Sequence, residues 1–133
     1  MHQNQIAALI NESPMNLGVD GAEWLRGEGN SAYGDDCGNV ILFERVAPGV
    51  YEFHWLRTVT KGPLAVVFTH NAIDYMFSFS NTCLLFGMVP SDRRDSRVMA
   101  RAIGAEHVGQ IATEDGDAEM YIMTRAIRGR AEG

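Results

Sequence analysis

Residues 40–90 run strand, turn, strand, loop, helix, strand, and this order limits the topologies open to the chain more than any other feature. Residues 40–46 (VILFERV) are β-branched and aromatic, Ala47, Pro48 and Gly49 form a turn, and VYEFHWL follows, so the pair reads as an antiparallel hairpin. In its second strand Val50, Glu52, His54 and Leu56 face one way and Tyr51, Phe53 and Trp55 the other, as a two-residue period requires. After the polar residues 57–62, Pro63 suits the first turn of a helix, where its missing N–H costs nothing. That helix is predicted to reach Phe77 with Leu64, Phe68, Ala72, Tyr75 and Phe79 as its buried face. The apolar run TCLLFGMVP then suits a central strand covered on both sides. Strand, helix, strand predicts a right-handed parallel crossover.

The flanks fit around this centre. Residues 5–11 have helical spacing, with Ile6, Leu9 and Ile10 on one face and Ser13 and Pro14 as the stop. A second short helix is expected over 17–26, weakened by Gly18, Gly21 and Gly27, and a short strand over 30–33. Ser91 or Asp92 caps a further helix to Ile103, with Gly104 as its stop and Val98, Met99, Ala102 and Ile103 buried. HVGQIA and AEMYIMTRAI read as two closing strands joined by the acidic turn 113–117. With no repeat, low-complexity tract or linker, residues 1–133 are expected to form one domain with a disordered tail at 129–133.

Composition narrows the function classes. With 133 residues, 46% hydrophobic and 21% charged, one core suffices without metal or disulfide. The net charge of -6, with basic residues clustered at 93–101 and 125–130, argues against general nucleic-acid binding and leaves room for a local anion site. Cys37 and Cys83 lack CxxC spacing and are expected to be reduced thiols in a cytosol-like compartment. No basic leader opens the sequence and no window nears the roughly 20 apolar residues of a membrane span, so a soluble, unexported protein is expected. His2, His54, His70 and His107 are scattered, and Glu114, Asp115 and Asp117 lack the alternation of a calcium loop, so no metal is expected. Met88, Met99, Met120 and Met123 are read as core filling.

Two segments carry a family resemblance. Arg57-Thr58-Val59-Thr60-Lys61-Gly62-Pro63-Leu64-Ala65 resembles a strand-to-helix loop of form Q/R-x-x-G-x-G/A, with Lys61-Gly62 at its Arg-Gly pair, Leu64 at its later glycine and Pro63 deleting one amide. VPSDRRDSRVMARAIGAEHVG is similar to PxxNxxAxxxYxxxGF: Pro90, Ser96 and Gly104 fall at its intervals, while Arg93 replaces the asparagine, Ala100 the tyrosine and Ala105 the phenylalanine. On these segments and the element order, the chain resembles the GCN5-related N-acetyltransferases. It is most similar to short acetyltransferase-like proteins of tailed bacteriophages, which carry segments like LINESP and GVYEFHWL.

The resemblance implies an α/β acyl-CoA N-acyltransferase fold, a mixed and mostly antiparallel central sheet with one parallel strand-helix-strand crossover. It implies acetyl-CoA as substrate, held by Val59, Thr60, Lys61, Gly62, Pro63, Leu64 and Ala65 at a helix N-terminus, whose free amides and dipole attract phosphate. Arg93, with Arg94 and Arg97, contacts the phosphates or forms a solvated face with Asp92 and Asp95. The family's tyrosine protonates the departing thiolate, which Ala100 cannot do. Tyr121 either replaces it or packs. Transfer to an amine needs a base, for which Glu52 and His54 are the candidates; the competing assignments are an arginine ion pair and a hydrogen-bonded sheet residue. Two functions follow. One is an N-acetyltransferase with an amine substrate in the host cytoplasm; the other is an inactive phage protein that keeps the fold as a virion or host-interaction module with a protein partner. Neither involves nucleic acid or membrane.

Overall fold

The structure, a computed structural model, describes residues 3–12, 20–57 and 59–132, of which 57 and 130–132 are described by backbone alone. The elements are α1 (Gln3–Glu12), α2 (Gly21–Arg26), β1 (Ser31–Gly34), β2 (Val40–Ala47), β3 (Val50–Arg57), α3 (Pro63–Phe77), β4 (Leu84–Pro90), α4 (Arg94–Ala102), β5 (Glu106–Thr113), β6 (Gly116–Thr124) and α5 (Arg125–Glu132). One sheet runs β1-β2-β3-β4-β6-β5. Only β3 and β4 pair in parallel, so the predicted crossover lies at the centre of an otherwise antiparallel sheet.

Alternation along the hairpin builds two cores, one on each face. Ile41, Phe43, Tyr51 and Phe53 pack against α3, with Phe43 and Phe53 edge to face at 5.4 Å. Val40 and Leu42 turn the other way and bury Ile6 and Ile10 of α1 and Trp24 of α2. The stop at Ser13 and Pro14 and the start of the helix predicted over 17–26 lie outside the described residues. Within them, α2 begins at Gly21 because the Asp20 carboxylate accepts a hydrogen bond from the Ala22 amide at 3.1 Å. Gly21 is required by close approach, since a Cβ there would lie 2.3 Å from the Ala7 carbonyl oxygen of α1. Gly21→Ala is therefore expected to lower stability by about 1–3 kcal/mol, read from denaturant melts, because two helix backbones must separate to admit it.

Several predictions need correction, and Met88, expected to fill the core, is 43% exposed. The face α3 buries is Ala65, Phe68, Thr69, Ala72, Ile73 and Met76, whereas Leu64, Tyr75 and Phe79 are exposed. Apolar residues ring this helix, so periodicity could not rank its faces; the aromatic wall of β2 and β3 decides. In α4 the buried stripe is Ala100 and Ile103, and Val98 and Ala102 face solvent, because Ala100 nests against Val89 and Tyr121 of the sheet. The last strand ends at Thr124 rather than Ile127, since the Thr124 hydroxyl accepts from the Ile127 amide at 3.2 Å and opens a helix. Arg125 then donates to the carbonyls of Phe77 and Phe79 at 2.7 and 2.6 Å, and Arg128 pairs with Asp74 at 2.8 Å and contacts His70 Nδ1. Part of the basic tail thus holds α5 on α3.

The parallel pairing positions everything that follows. β3 and β4 are in register over Val50↔Leu84, Tyr51↔Leu85 and Glu52↔Phe86. Beyond that point residues 53–57 and 87–90 run on without pairing to one another, while β4 stays bonded to β6 as far as Pro90↔Ala118. The sheet splits there into a wedge that opens toward the starts of α3 and α4. No helix among the described residues is long and apolar enough to cross a membrane. Cys37 and Cys83 are free and exposed.

Candidate active site

A small cavity of about 40 Å³ lies in the wedge on the side of α3 and α4, partly open to solvent. Phe53 and Trp55 form one wall, Leu85 and Val89 the other, and Ile73 and Ile103 the floor. Aliphatic and aromatic side chains line it throughout.

At the wedge mouth, the loop into α3 divides the predicted cradle in two. The Asn39 side chain, 1% exposed, accepts from the amides of Val59 at 2.8 Å and Thr60 at 3.0 Å. The same side chain donates to Thr60 Oγ1 and Asp35 Oδ2, each at 2.8 Å. Burial alone would raise the Asp35 carboxyl; hydrogen bonds from the Asn39 side chain and from the Asn39 and Cys37 amides nevertheless hold it below its ordinary value. The Val59 and Thr60 amides are therefore turned inward. Those of Lys61, Gly62 and Leu64 find no partner among the described residues, Pro63 has none to offer, and Ala65 is buried with its amide bonded to the Gly62 carbonyl at 3.0 Å. Gly62 caps α3 at φ 66° and ψ -144° with no side-chain hydrogen bond, leaving the helix start open.

Arg93, at the start of α4, is exposed and paired with Asp95 at 3.3 Å. That Asp95 hydrogen bond holds the Arg93 guanidinium above its ordinary value. Arg97 is half-buried, and its Nε has no hydrogen-bond partner among the described residues.

Glu52 belongs to the last parallel pair, where the wedge begins, and faces α1 and α2 with His54. Across the hairpin Glu44 is its register partner. His54 Nε2 lies 3.7 Å from Glu44 Oε1 and 3.9 Å from Glu52 Oε1, buried and without a hydrogen bond among the described residues, and Trp24 Nε1 donates to Glu44 Oε2 at 3.3 Å. Burial raises the Glu52 carboxyl above its ordinary value; His54 opposes the rise and Glu44 adds to it. Its neighbour is thus a histidine rather than an arginine. One ligand atom from each of the three lies within 4.8 Å of the others, so this is the place among the described residues that could hold a divalent cation. Spacing along the chain hides the set, which arises from register across the hairpin. The turn at 47–49 was the signal that could have placed Glu44 beside Glu52.

Tyr121 is buried in the cavity wall, on the opposite face of the sheet, paired in register with Gly87. Its ring lies 5.2 Å from that of His107. Glu119 gathers a polar cluster beside them: it accepts from the Ser91 hydroxyl, from Gln110 at 3.1 Å, and meets His107 Nε2 at 2.9 Å. The Ser91 hydroxyl first, then Gln110 and His107, hold the Glu119 carboxyl below its ordinary value. The fold therefore brings Glu52 and His54 together and puts Tyr121 across the wedge from them.

No protein-family model and no curated protein matches this sequence. Solved structures do match its fold. The aminoglycoside acetyltransferase AAC(6')-Ib, in complex with coenzyme A and kanamycin, superposes with a TM-score of 0.72 at 16% identity, covering 100% of this chain and 96% of that one. The spermidine N-acetyltransferase from Vibrio cholerae, in complex with CoA and spermine, gives 0.68 at 12% identity over 80% of this chain and 72% of that one. The chain has the acyl-CoA N-acyltransferase fold of the GCN5-related acetyltransferases, as the element order predicts.

Proposed function

We propose that the protein transfers an acetyl group from acetyl-CoA to a cationic amine. The observation that carries this reading is the wedge between β3 and β4, which has an open helix start at its mouth and a carboxylate of raised pKa where it closes. The free amides of Lys61, Gly62 and Leu64 would meet the pyrophosphate, and the unpaired edges of residues 53–57 and 87–90 would meet the amide-bearing arm. Glu52, directly or through His54, first takes a proton from the ammonium; the neutral amine nitrogen then attacks the thioester carbonyl carbon and the C–S bond breaks. The thiolate takes a proton from Tyr121 or water, and the nitrogen's second proton passes to water or back to the donor. Glu44 and Glu52 supply negative charge for a cationic acceptor, consistent with the net charge of -6 and with the kanamycin and spermine bound by the structural relatives.

The inward turn of Val59 and Thr60 and the alanine at position 100 stand on the side of the alternative, a non-catalytic interaction module. A phage origin, with residence in the host cytoplasm or the virion, rests on the resemblance of LINESP and GVYEFHWL. Thermal melts with acetyl-CoA separate the two functions. A ligand at a hundredfold excess over its Kd stabilises by about 2.7 kcal/mol, and a saturable rise specific to CoA compounds is expected. Gly62→Glu should abolish it, because a side chain at φ 66° strains the backbone by about 1–3 kcal/mol and its carboxylate repels phosphate. The variant's melt without ligand separates strain from lost binding. No shift at millimolar acetyl-CoA would leave the module reading.

A further inference from the structure

We infer that Glu44, Glu52 and His54 form a binding site for a divalent transition cation of the zinc class, and that the bound cation blocks acetyl transfer; the second half rests on the acetyltransferase reading above. The three side chains project from the paired strands β2 and β3, so ladder backbone rather than a loop holds the ligand atoms. His54 Nε2 is buried without a hydrogen bond among the described residues, 3.7 Å from Glu44 Oε1 and 3.9 Å from Glu52 Oε1. Those separations are too long for hydrogen bonds and a little wider than the roughly 3.3 Å between ligands that share one tetrahedral zinc ion at about 2.0–2.1 Å.

Glu44 and Glu52 are register partners, and like charges facing each other across two strands repel. Among the described residues neither carboxylate pairs with a lysine or arginine, so a cation between them and the imidazole would satisfy all three groups. Trp24 Nε1 donates to Glu44 Oε2, which orients that carboxylate and leaves Oε1 on the side of His54. One nitrogen and two oxygen ligands suit zinc and its neighbours better than magnesium or calcium, which take oxygen. The side chains are 19–31% exposed, so the site can be reached from solvent. A cation there would occupy the Glu52 oxygen and the His54 nitrogen that otherwise receive the amine proton, and its charge would repel a cationic acceptor.

Calorimetric titration with zinc chloride in a non-chelating buffer, beside magnesium and calcium chloride, tests the site. One saturable zinc site is expected, with magnesium and calcium at least tenfold weaker. Glu44→Gln and His54→Gln should each weaken zinc by tenfold or more; metal-free melts check their folding, and should one fail to fold, the other decides. Absence of zinc binding overturns the site, as does binding that both variants keep, which would belong to the exposed cysteines or His107. Zinc that binds at these residues but leaves the rate of amine acetylation unchanged overturns the block and, with it, Glu52 as base. If acetyl-CoA does not bind, the transfer reading and the block fall together, while the titration still decides the site.

Discussion

Glu52→Gln is expected to lower kcat/KM for acyl transfer to an amine by about a hundredfold or more, the usual loss on removing a positioned general base. The same change should leave the protein at least as stable at neutral pH. Burial raises the Glu52 carboxyl above its ordinary 4.5, with Glu44 beside it, so just above that value the folded chain keeps a proton that the unfolded chain has lost. Stability from this group is fully present below the ordinary value and declines as pH rises through the raised one. The glutamine variant cannot ionise and escapes the decline. Melts across pH 4 to 8 beside single-turnover rates check both halves. A variant that loses activity and stability together would make Glu52 a structural residue and refute its assignment as base.

Asn39→Ala is expected to lower the melting temperature by on the order of 10 °C. The side chain is buried and serves two backbone amides, a threonine hydroxyl and an aspartate. Its removal strands the Val59 and Thr60 amides in a place where each unsatisfied group costs about 1–3 kcal/mol. The loop before α3 would then lose its fixed path, so any stabilisation by acetyl-CoA should shrink as well. Differential scanning calorimetry with and without the thioester measures both. A loss of less than a few degrees would show that the loop finds other partners and that Asn39 does not hold it.

Much of the fold was legible because neighbouring residues set it. The hairpin follows from β-branched runs around Pro48-Gly49, α3 starts at the proline and stops at Phe77 as predicted, and the parallel crossover follows from their order. The direction in which α3 buries itself was not legible. Val67 and Leu64 are as apolar as Phe68 and Ile73, and only the aromatic wall opposite tells them apart. The site divides along the same line. Glu52 and His54 could be found on one strand face by counting in twos, but Asn39 acts on a loop twenty residues later, and nothing near it in sequence announces that partner. Arg93 fitted the spacing of a motif, yet on the folded chain its nearest charge is Asp95.

The parted strands also change what it means for a sheet to have edges. An exposed strand edge ordinarily invites another chain to pair with it. Here residues 53–57 and 87–90 present two such edges to each other inside one molecule without pairing. The hydrogen-bonding ladder is left unfinished in the middle of the sheet rather than at its rim. A slender guest carrying its own amide groups could complete it as a missing strand would, while another protein's strand would have to enter between two walls of the same domain.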